Sequence, residues 1–378
     1  MLNVKSSVSW SYLQQHALSV RPSVVWSYLE QHALSVRPSV VWSFLQQHSL
    51  IFFFALLLTS CKNKTEVGTE AKVEKPAISV QVPLFVRDTA YAMVGRQVAF
   101  GPRVPGSDAH KATKKWLVQK LSEYGASVKE QSFKAMTATI GEVRGTNIIA
   151  SYNPTYARRV VLAAHWDTRY AADEDDEGAD KPHDGADDGG SGVGVLLEIA
   201  RLLQAHPIAL GVDIVLFDVE DQGATGGDQD SWCLGSQYWS RNPHVNGYRA
   251  EYGILLDMVG AKGAVFQKED PTKVYPPDKA KQVQHYYNQV WNLAQGMKKG
   301  NLFVNVVGQP FTDDHYYVNS LTAIPMIDII NKPLDSAKGF GAHWHTHDDN
   351  MQVIDPSVLG SVGQVVTAYV YQSSRVPM

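Results

Sequence analysis

Histidine and carboxylate residues recur in this sequence where a metal ion could be bound. The segment GAHWHTHDDN (341–350) carries His343, His345 and His347 at alternating positions, followed by two aspartates. If this backbone is extended, alternation places all three imidazoles on one side. Imidazole ligands need partners from elsewhere in the chain, so this segment alone does not define a site.

Residues of the same types stand at the ends of predicted strands and loops. They are His165 and Asp167 after VVLAA, Asp187 and Asp188 in GADDGG, Asp218, Glu220 and Asp221 after VDIVLF, Asp257 after YGILL, and Asp313, Asp314 and His315 after LFVNVVG. Burying so many carboxylates together is prohibitive without a cation. Nitrogen and carboxylate ligands without thiolates indicate zinc, although Mn²⁺ or Co²⁺ would fit.

The elements that must position these residues alternate between helix and strand. Helices are predicted over 108–125, 191–206, 277–297 and 357–374, with another starting at 235, and apolar strands over 147–153, 158–168, 212–221, 252–260 and 323–330. This alternation predicts a single α/β domain with a mostly parallel central sheet and helices on both faces. Ligands of such sheets bind beyond the carboxyl ends of the strands, where the polar residues are found.

Composition excludes several classes of protein. The 378 residues carry a formal net charge of −4 and show no basic cluster, which disfavours a nucleic-acid partner. The two cysteines, Cys61 and Cys233, are too few for a disulfide framework or a cysteine-rich zinc site. Cys233 is predicted to be a small buried residue, and nothing in the sequence indicates an oligomeric state.

The segment 1–49 is predicted not to be part of the fold. SYLQQHALSVRPSVVW begins at Ser11 and recurs as SYLEQHALSVRPSVVW at Ser27, with a period of 16 residues. This period is too short for the common solenoid repeats. We interpret the segment as a tandem DNA repeat translated upstream of the true start; a bound amphipathic segment is the alternative.

A targeting segment is predicted next. Residues 50–61 contain an apolar run with the length of a signal-peptide core, too short to span a bilayer. The run ends in LTSC, which resembles the bacterial lipobox, so Cys61 is predicted to be a lipid-anchored mature N-terminus in the cell envelope, facing the periplasm or the cell surface. The alternative is a chance cysteine after a cleaved signal. Residues 62–76 are predicted to be a flexible tether, and 77–378 the catalytic domain.

The acidic run DEDDEGADKPHDGADD (173–188) lies within that domain. Most of it is predicted to be a solvated loop. A calcium site is the alternative, because hard oxygen ligands are abundant, although the EF-hand order is absent.

The motif order HWD, GADDGGSG, VEDQG, LLDMVG, DDH and WHTHDD resembles the zinc aminopeptidase fold family, and within it the glutaminyl cyclases of animal type, which also occur in bacteria. The resemblance covers roughly residues 85–375. It implies one zinc in a cyclase, bound by Asp188, Asp221 and His345. In a two-metal aminopeptidase, it implies a further metal on His165, Asp188 and Asp257.

One departure from the family pattern bears on the choice between cyclase and peptidase. Position 221 is Asp, where both subfamilies usually have the longer Glu, and this disfavours an ordinary aminopeptidase. His165 and Asp257 are nevertheless present, so the second site is not visibly destroyed. His343 and His347 need only be polar loop residues or partners of ligands.

The resemblance also implies catalytic roles. Glu220 would be the proton shuttle of a cyclase or the general base of a peptidase. Asp313 would join Glu220 and Asp257 in a carboxylate network, in which one pKa rises, with Asp314 the less certain partner. Trp344, which precedes His345 as in the cyclases, and Trp232 would wall a narrow pocket; core packing is the alternative for each.

The function that the resemblance implies is a lipid-anchored, zinc-dependent glutaminyl-peptide cyclotransferase. It would convert the N-terminal Gln of exported proteins or peptides to pyroglutamate and release ammonia. A two-metal aminopeptidase is the enzymatic alternative. A non-catalytic binding lipoprotein is a third hypothesis, and the retention of Glu220 beside a full ligand set argues against it.

Overall fold

The computed structural model of the chain describes residues 81–336 and 339–375. The predicted repeat (1–49), the signal segment with Cys61 (50–61) and the tether (62–76) lie outside the described residues, so these interpretations stay predictions. In the two described ranges, no helix has both the length and the apolar character needed to cross a bilayer.

The described residues form seven α-helices and eight β-strands. The helices are α1 (Arg87–Val98), α2 (Asp108–Glu123), α3 (Gly190–Ala205), α4 (Leu234–Arg241), α5 (Pro277–Gly296), α6 (Asp314–Leu321) and α7 (Pro356–Ser373). The strands are β1 (Ser127–Thr137), β2 (Gly141–Tyr152), β3 (Arg159–His165), β4 (Gly211–Phe217), β5 (Gly253–Asp257), β6 (Phe266–Glu269), β7 (Phe303–Gly308) and β8 (Met326–Ile330).

The main sheet has six strands in the order β1-β2-β4-β3-β5-β8. Strands β4, β3, β5 and β8 run parallel, whereas β1 and β2 form an antiparallel edge. The prediction of a mostly parallel sheet in one α/β domain is therefore confirmed, with a correction. Strand β7 pairs with β6 in a separate two-stranded sheet, so Asp313 does not follow a strand of the main sheet.

Helices cover both faces of the main sheet because its central strands are apolar on both sides. Every residue of β3 and β4 is buried. Alternate β3 residues face opposite cores, as period-two geometry requires: Val160 and Leu162 pack in the larger core with α1, α2, α3, α5 and α7, whereas Val161 packs in the smaller core with residues of α4 and α6. Such a doubly covered sheet leaves its strand ends as the place for polar groups.

Local signals set the starts of the helices. Ser107 caps α2 by accepting a hydrogen bond from the His110 amide, and Asp355 caps α7 by accepting one from the Ser357 amide. Both are preferred capping residues, because their oxygens satisfy amides that lack a helical partner. Proline at the first position of α5 and α7 is compatible with a helix start for the same reason.

Candidate active site

The residues predicted to bind a metal meet at the carboxyl ends of the parallel strands. His165 ends β3, Asp257 ends β5, and Asp221 lies in the loop after β4. Asp188 comes just before α3, and His345 comes from the long loop between β8 and α7. Five chain segments that are distant in sequence therefore contribute one side chain each to a single place.

Asp188, Asp221 and His345 form a buried cluster whose ligand atoms all lie within 4.8 Å of one another. Nε2 of His345 is 3.0 Å from Oδ1 of Asp221 and 3.7 Å from Oδ2 of Asp188. Oδ2 of Asp221 is buried without a hydrogen-bond partner, which is costly unless another group compensates it. An imidazole and two carboxylates are a ligand set that suits zinc.

The electrostatics of this cluster also favour a cation. Burial alone would lower the pKa of His345, but the neighbouring carboxylates, Asp221 foremost, raise it to about 9. A field that stabilises a positive imidazolium stabilises a metal cation in the same place. The donor set and the field therefore both fit a zinc ion held by Asp188, Asp221 and His345.

A second cluster shares Asp188 with the first. His165, Asp188 and Asp257 also place their ligand atoms within 4.8 Å of one another. Nε2 of His165 is 2.9 Å from Oδ1 of Asp188 and 3.2 Å from Oδ1 of Asp257. Asp188 thus turns one carboxylate oxygen toward each histidine, as expected of a residue able to bridge two metals.

The GAHWHTHDDN segment is a series of turns, so the extended alternative does not hold. The amides of Trp344 and Thr346 bond to the carbonyls of Gly341 and His343, three residues back, at 3.0 and 3.1 Å. His345 has a φ of 56°, a left-handed conformation that a non-glycine residue adopts at some cost in strain. Hydrogen bonds within the turns replace the sheet pairing that an extended segment would need.

The three histidines of this segment therefore diverge. His345 faces the cluster, whereas Nε2 of His343 lies 2.8 Å from Oδ2 of Asp187. His347 lies at the surface, where its ring and amide contact Asp175. Several groups of histidine, cysteine and carboxylate side chains among the described residues are close enough to hold a metal ion, and of the three histidines only His345 belongs to one of them.

Two further aspartates hold the backbone of the site. Asp167 accepts hydrogen bonds from the amides of Glu220 and Asp221 at 3.0 and 3.4 Å, and Asp349 accepts one from the Asp188 amide at 3.1 Å. Neither residue belongs to the predicted ligand sets or to the predicted carboxylate network. Their positions in the HWD and HDD motifs were the available signal, but such contacts between distant loops follow no local pattern.

Glu220, the predicted proton shuttle, is grouped with Cys233 and Asp313, with ligand-type atoms within 4.8 Å of one another. Asp313 arrives as the N-cap of α6. Cys233 is buried, as predicted, and its thiol donates a hydrogen bond to Oε1 of Glu220 at 3.2 Å. Burial, with the negative charges of Asp221 and Asp313, raises the pKa of Glu220 well above its usual value.

The other carboxyls of the predicted network are perturbed in the same direction. Burial raises the pKa of Asp257 to about 8, and Asp313 contributes to this rise. Burial and the adjacent Asp313 also raise the pKa of Asp314 well above its usual value. These directions agree with the expectation that close carboxylates share protons.

A pocket of about 320 Å³ opens over these groups. Trp232 and Trp344, both predicted to wall the pocket, line it with Phe311 and Phe340, and Glu220, Asp257 and Asp313 are among its polar residues. The Trp344 ring stacks on His345 with centroids 3.8 Å apart. The aromatic side chains thus enclose the carboxyl groups and the metal-type cluster in one largely apolar slot.

The acidic run behaves as a surface loop over most of its length. Residues 176–178 and 180–182 are exposed, and none of the metal-type groups found in the described residues includes a side chain of 173–187. Asp173, which sequence reasoning missed, lies at the start of the run and is only partly exposed. It faces His345, and although burial alone would raise its pKa, His345 and Arg169 bring the pKa of Asp173 below its usual value.

Comparison with known proteins identifies the class of this fold and site. Residues 147–370 match the model of peptidase family M28. The chain belongs to this family, and its α/β sandwich is the fold of the zinc-dependent exopeptidases.

Relatives within the fold carry two kinds of name. A glutaminyl cyclase from Porphyromonas gingivalis is 50% identical, covering 77% of this chain and 99% of that one with a TM-score of 0.72. A Zn-dependent exopeptidase from Parabacteroides distasonis is 45% identical over 77% of this chain and 99% of its own, with a TM-score of 0.73. The glutaminyl-peptide cyclotransferase of Bos taurus is 25% identical over 294 residues, 71% of this chain and 78% of that protein.

Proposed function

We propose that this chain is a zinc-dependent glutaminyl-peptide cyclotransferase, which converts the N-terminal Gln of peptides or exported proteins to pyroglutamate and releases ammonia. One observation carries the proposal. Glu220, a carboxyl whose burial favours the protonated form, lies in an aromatic-walled pocket beside the cluster of Asp188, Asp221 and His345. The cyclase names among the relatives support it.

Asp188, Asp221 and His345 would hold one zinc ion. Bound there, the ion supplies a Lewis acid that polarises the side-chain carbonyl of the substrate Gln. The protein's own contribution is to fix these ligands on separate loops of a rigid sheet. Asp167 and Asp349 support that role by bonding the amides of Asp221 and Asp188.

Glu220 would carry the proton. The α-amine nitrogen of the substrate bonds to the side-chain carbonyl carbon, and the bond from that carbon to the carboxamide nitrogen breaks. Glu220 accepts a proton from the amine and returns it to the departing nitrogen, which leaves as ammonia. A raised pKa suits this exchange, because it makes the carboxylate of Glu220 a better proton acceptor. The Cys233 thiol donates a hydrogen bond to its Oε1.

The pocket would select the substrate. Its volume of about 320 Å³ suits one flat side chain with the start of a peptide rather than a folded segment. The indole walls of Trp232 and Trp344 give the pocket an apolar lining, and a cyclisation needs no water because the nucleophile belongs to the substrate. A peptidase, in contrast, must admit and activate a water molecule.

An aminopeptidase is the second candidate, and the His165, Asp188 and Asp257 cluster favours it. Two metals that share Asp188 could activate a water molecule, with Glu220 as its base. The 45% identical relative named a Zn-dependent exopeptidase adds to this candidate. The aromatic walls of the pocket favour the cyclase.

The purified chain incubated with peptides that begin with Gln, Asn or Leu would test the proposal. Mass spectrometry and an ammonia assay would follow the products. We expect ammonia and pyroglutamyl product from the Gln peptide. The Asn peptide should stay intact because its shorter side chain cannot close a five-membered ring. Release of free leucine, with the Gln peptide losing its first residue, would overturn the proposal in favour of the aminopeptidase.

We further propose that the enzyme is anchored in a bacterial cell envelope by lipid on Cys61, facing the periplasm or the cell surface. The LTSC motif after the apolar run of 50–58 supports this. Cys61→Ser should move the protein from the membrane fraction to the soluble fraction with its activity intact, because the lipid would be its only attachment. A Cys61→Ser protein that stays in the membrane fraction would contradict the anchor.

A further inference from the structure

A buried arginine lies next to the cluster of Asp188, Asp221 and His345. Arg169 is 1% exposed, and its guanidinium forms a two-pronged ion pair with Asp173, at 2.7 and 2.6 Å. Such paired bonds fix the carboxylate in position as well as holding its charge. The pair is therefore a built feature of the fold, in contrast to the exposed charges of the same acidic run.

Asp173 in turn faces His345, the histidine of this cluster. Its Oδ1 lies 3.2 Å from Nδ1 of His345, on the side of the ring opposite the Nε2 that faces Asp221 and Asp188. The approach lacks the alignment of a full hydrogen bond, and Nδ1 has no hydrogen-bond partner in its place. Asp173 is thus the carboxylate available to set the orientation and basicity of this imidazole.

The same arginine also reaches the other side of the cluster. Its Nη1 donates to the backbone carbonyls of Asp221 and Gly223, at 3.0 and 3.2 Å. Its guanidinium packs on the indole of Trp232 at 4.7 Å. Gly223 matters here because a Cβ at that position would fall 2.1 Å from the Trp232 ring. Arg169 therefore makes three contacts: with the backbone of Asp221, with Asp173, which faces His345, and with Trp232 in the pocket wall.

We infer that Arg169 and Asp173 form a positioning pair for the zinc site, in which Arg169 fixes Asp173 and Asp173 orients His345 as a ligand. The inference rests on the proposed zinc site but not on the reaction performed there. Carboxylates that contact the second nitrogen of a metal-bound imidazole hold its orientation, and their loss typically costs about 10–100-fold in metal affinity. Neither residue lines the pocket itself, so both act through the residues that do.

Zinc affinity measured by competition with a chelator, on the full chain and without substrate, tests this inference. Asp173→Ala should weaken zinc binding by about 10–100-fold relative to the wild type. Asp175→Ala is the matched control, because both side chains are 24% exposed and come from the same loop, but Asp175 contacts the surface residue His347. Its zinc affinity should equal that of the wild type.

Two further measurements separate positioning from a general loss of structure. The Co²⁺-substituted Asp173→Ala protein should show a shifted visible absorption spectrum, and the zinc-free variant should keep the circular dichroism spectrum and the cooperative unfolding of the wild type, although the unpaired Arg169 lowers its unfolding temperature. Asp173→Asn, which keeps the shape of the side chain, should weaken binding in the same direction and serves if the alanine variant does not fold. Equal zinc affinities for the variants at 173 and 175 would overturn the inference, whichever reaction the enzyme performs.

Discussion

The two clusters that share Asp188 differ in what surrounds them. Asp221 and His345 line the pocket together with Asp188, whereas His165 lies behind it and does not line it. His345 has Asp173 at its outer nitrogen. The nearest carboxylate oxygen to the outer nitrogen of His165 is on Asp167, 3.8 Å away. One histidine is therefore oriented and faces the pocket, and the other is set back among carboxylates.

This difference explains how a fold with two possible metal-binding clusters could work with a single metal ion. Asp257 contacts His165 and is raised in pKa to about 8, so it is suited to sharing a proton as well as to binding a cation. A carboxyl that shares protons with its neighbours is a poor metal ligand while it is protonated. The cluster of His165, Asp188 and Asp257 thus supports proton chemistry, and the cluster of Asp188, Asp221 and His345 supports zinc binding.

The largest expected effect comes from removing the pocket-facing histidine. His345→Ala should lower zinc affinity by more than about 100-fold, beyond the loss typical for a ligand's supporting partner, and reduce activity to background. His347→Ala is the control and should change neither, because His347 lies at the surface against Asp175. Equal damage from both variants, by metal analysis and ammonia release, would show that the ligand is wrongly assigned.

A large effect on rate alone is expected at Glu220. Glu220→Gln keeps the size of the side chain but cannot cycle a proton, so kcat should fall by about 10²–10⁴-fold. Zinc content and KM should change little, because Asp188, Asp221, His345 and the aromatic walls are untouched. Steady-state kinetics with metal analysis would check this, and a variant that also lost its zinc would place Glu220 among the ligands instead.

The smallest effect is expected at His165, which does not line the pocket. His165→Asn should leave the zinc content near that of the wild type, because the pocket-facing ligands remain, and should reduce kcat/KM by less than the Glu220 substitution does. Metal analysis beside the kinetics would check it. A His165→Asn protein that lost half of its metal would make the two clusters equivalent and favour the aminopeptidase.

The fold could be predicted because its signals are local, whereas the ligand set was assigned from the resemblance of its motifs to a known family. Apolar strands such as 158–168 and motifs such as HWD and VEDQG stand out in sequence. Strand β1 (Ser127–Thr137) was missed because it is an edge strand with mostly exposed or half-buried residues. Helix α1 (Arg87–Val98) was missed because its buried face is reduced to Ala90, Val94 and Gln97.

The supporting residues could not be predicted for a different reason. Asp173 begins an acidic run whose residues 176–178 and 180–182 are exposed, and only the folded loop brings it against His345. Cys233 was predicted to be buried, but its bond to Glu220 depends on a left-handed backbone conformation at φ 57°. Contacts of this kind join loops that are distant in sequence, so they leave no periodic pattern.

Titration of the zinc-free protein with zinc, followed by turnover of Gln and Leu peptides at each step, would show whether one zinc ion is enough for the cyclisation. Three ligands facing the pocket predict that ammonia release from the Gln peptide reaches its maximum at about one zinc per chain. The Leu peptide should stay intact throughout the titration. Activity that needs about two zinc ions per chain and cleaves the Leu peptide would contradict both the single zinc site and the cyclase activity.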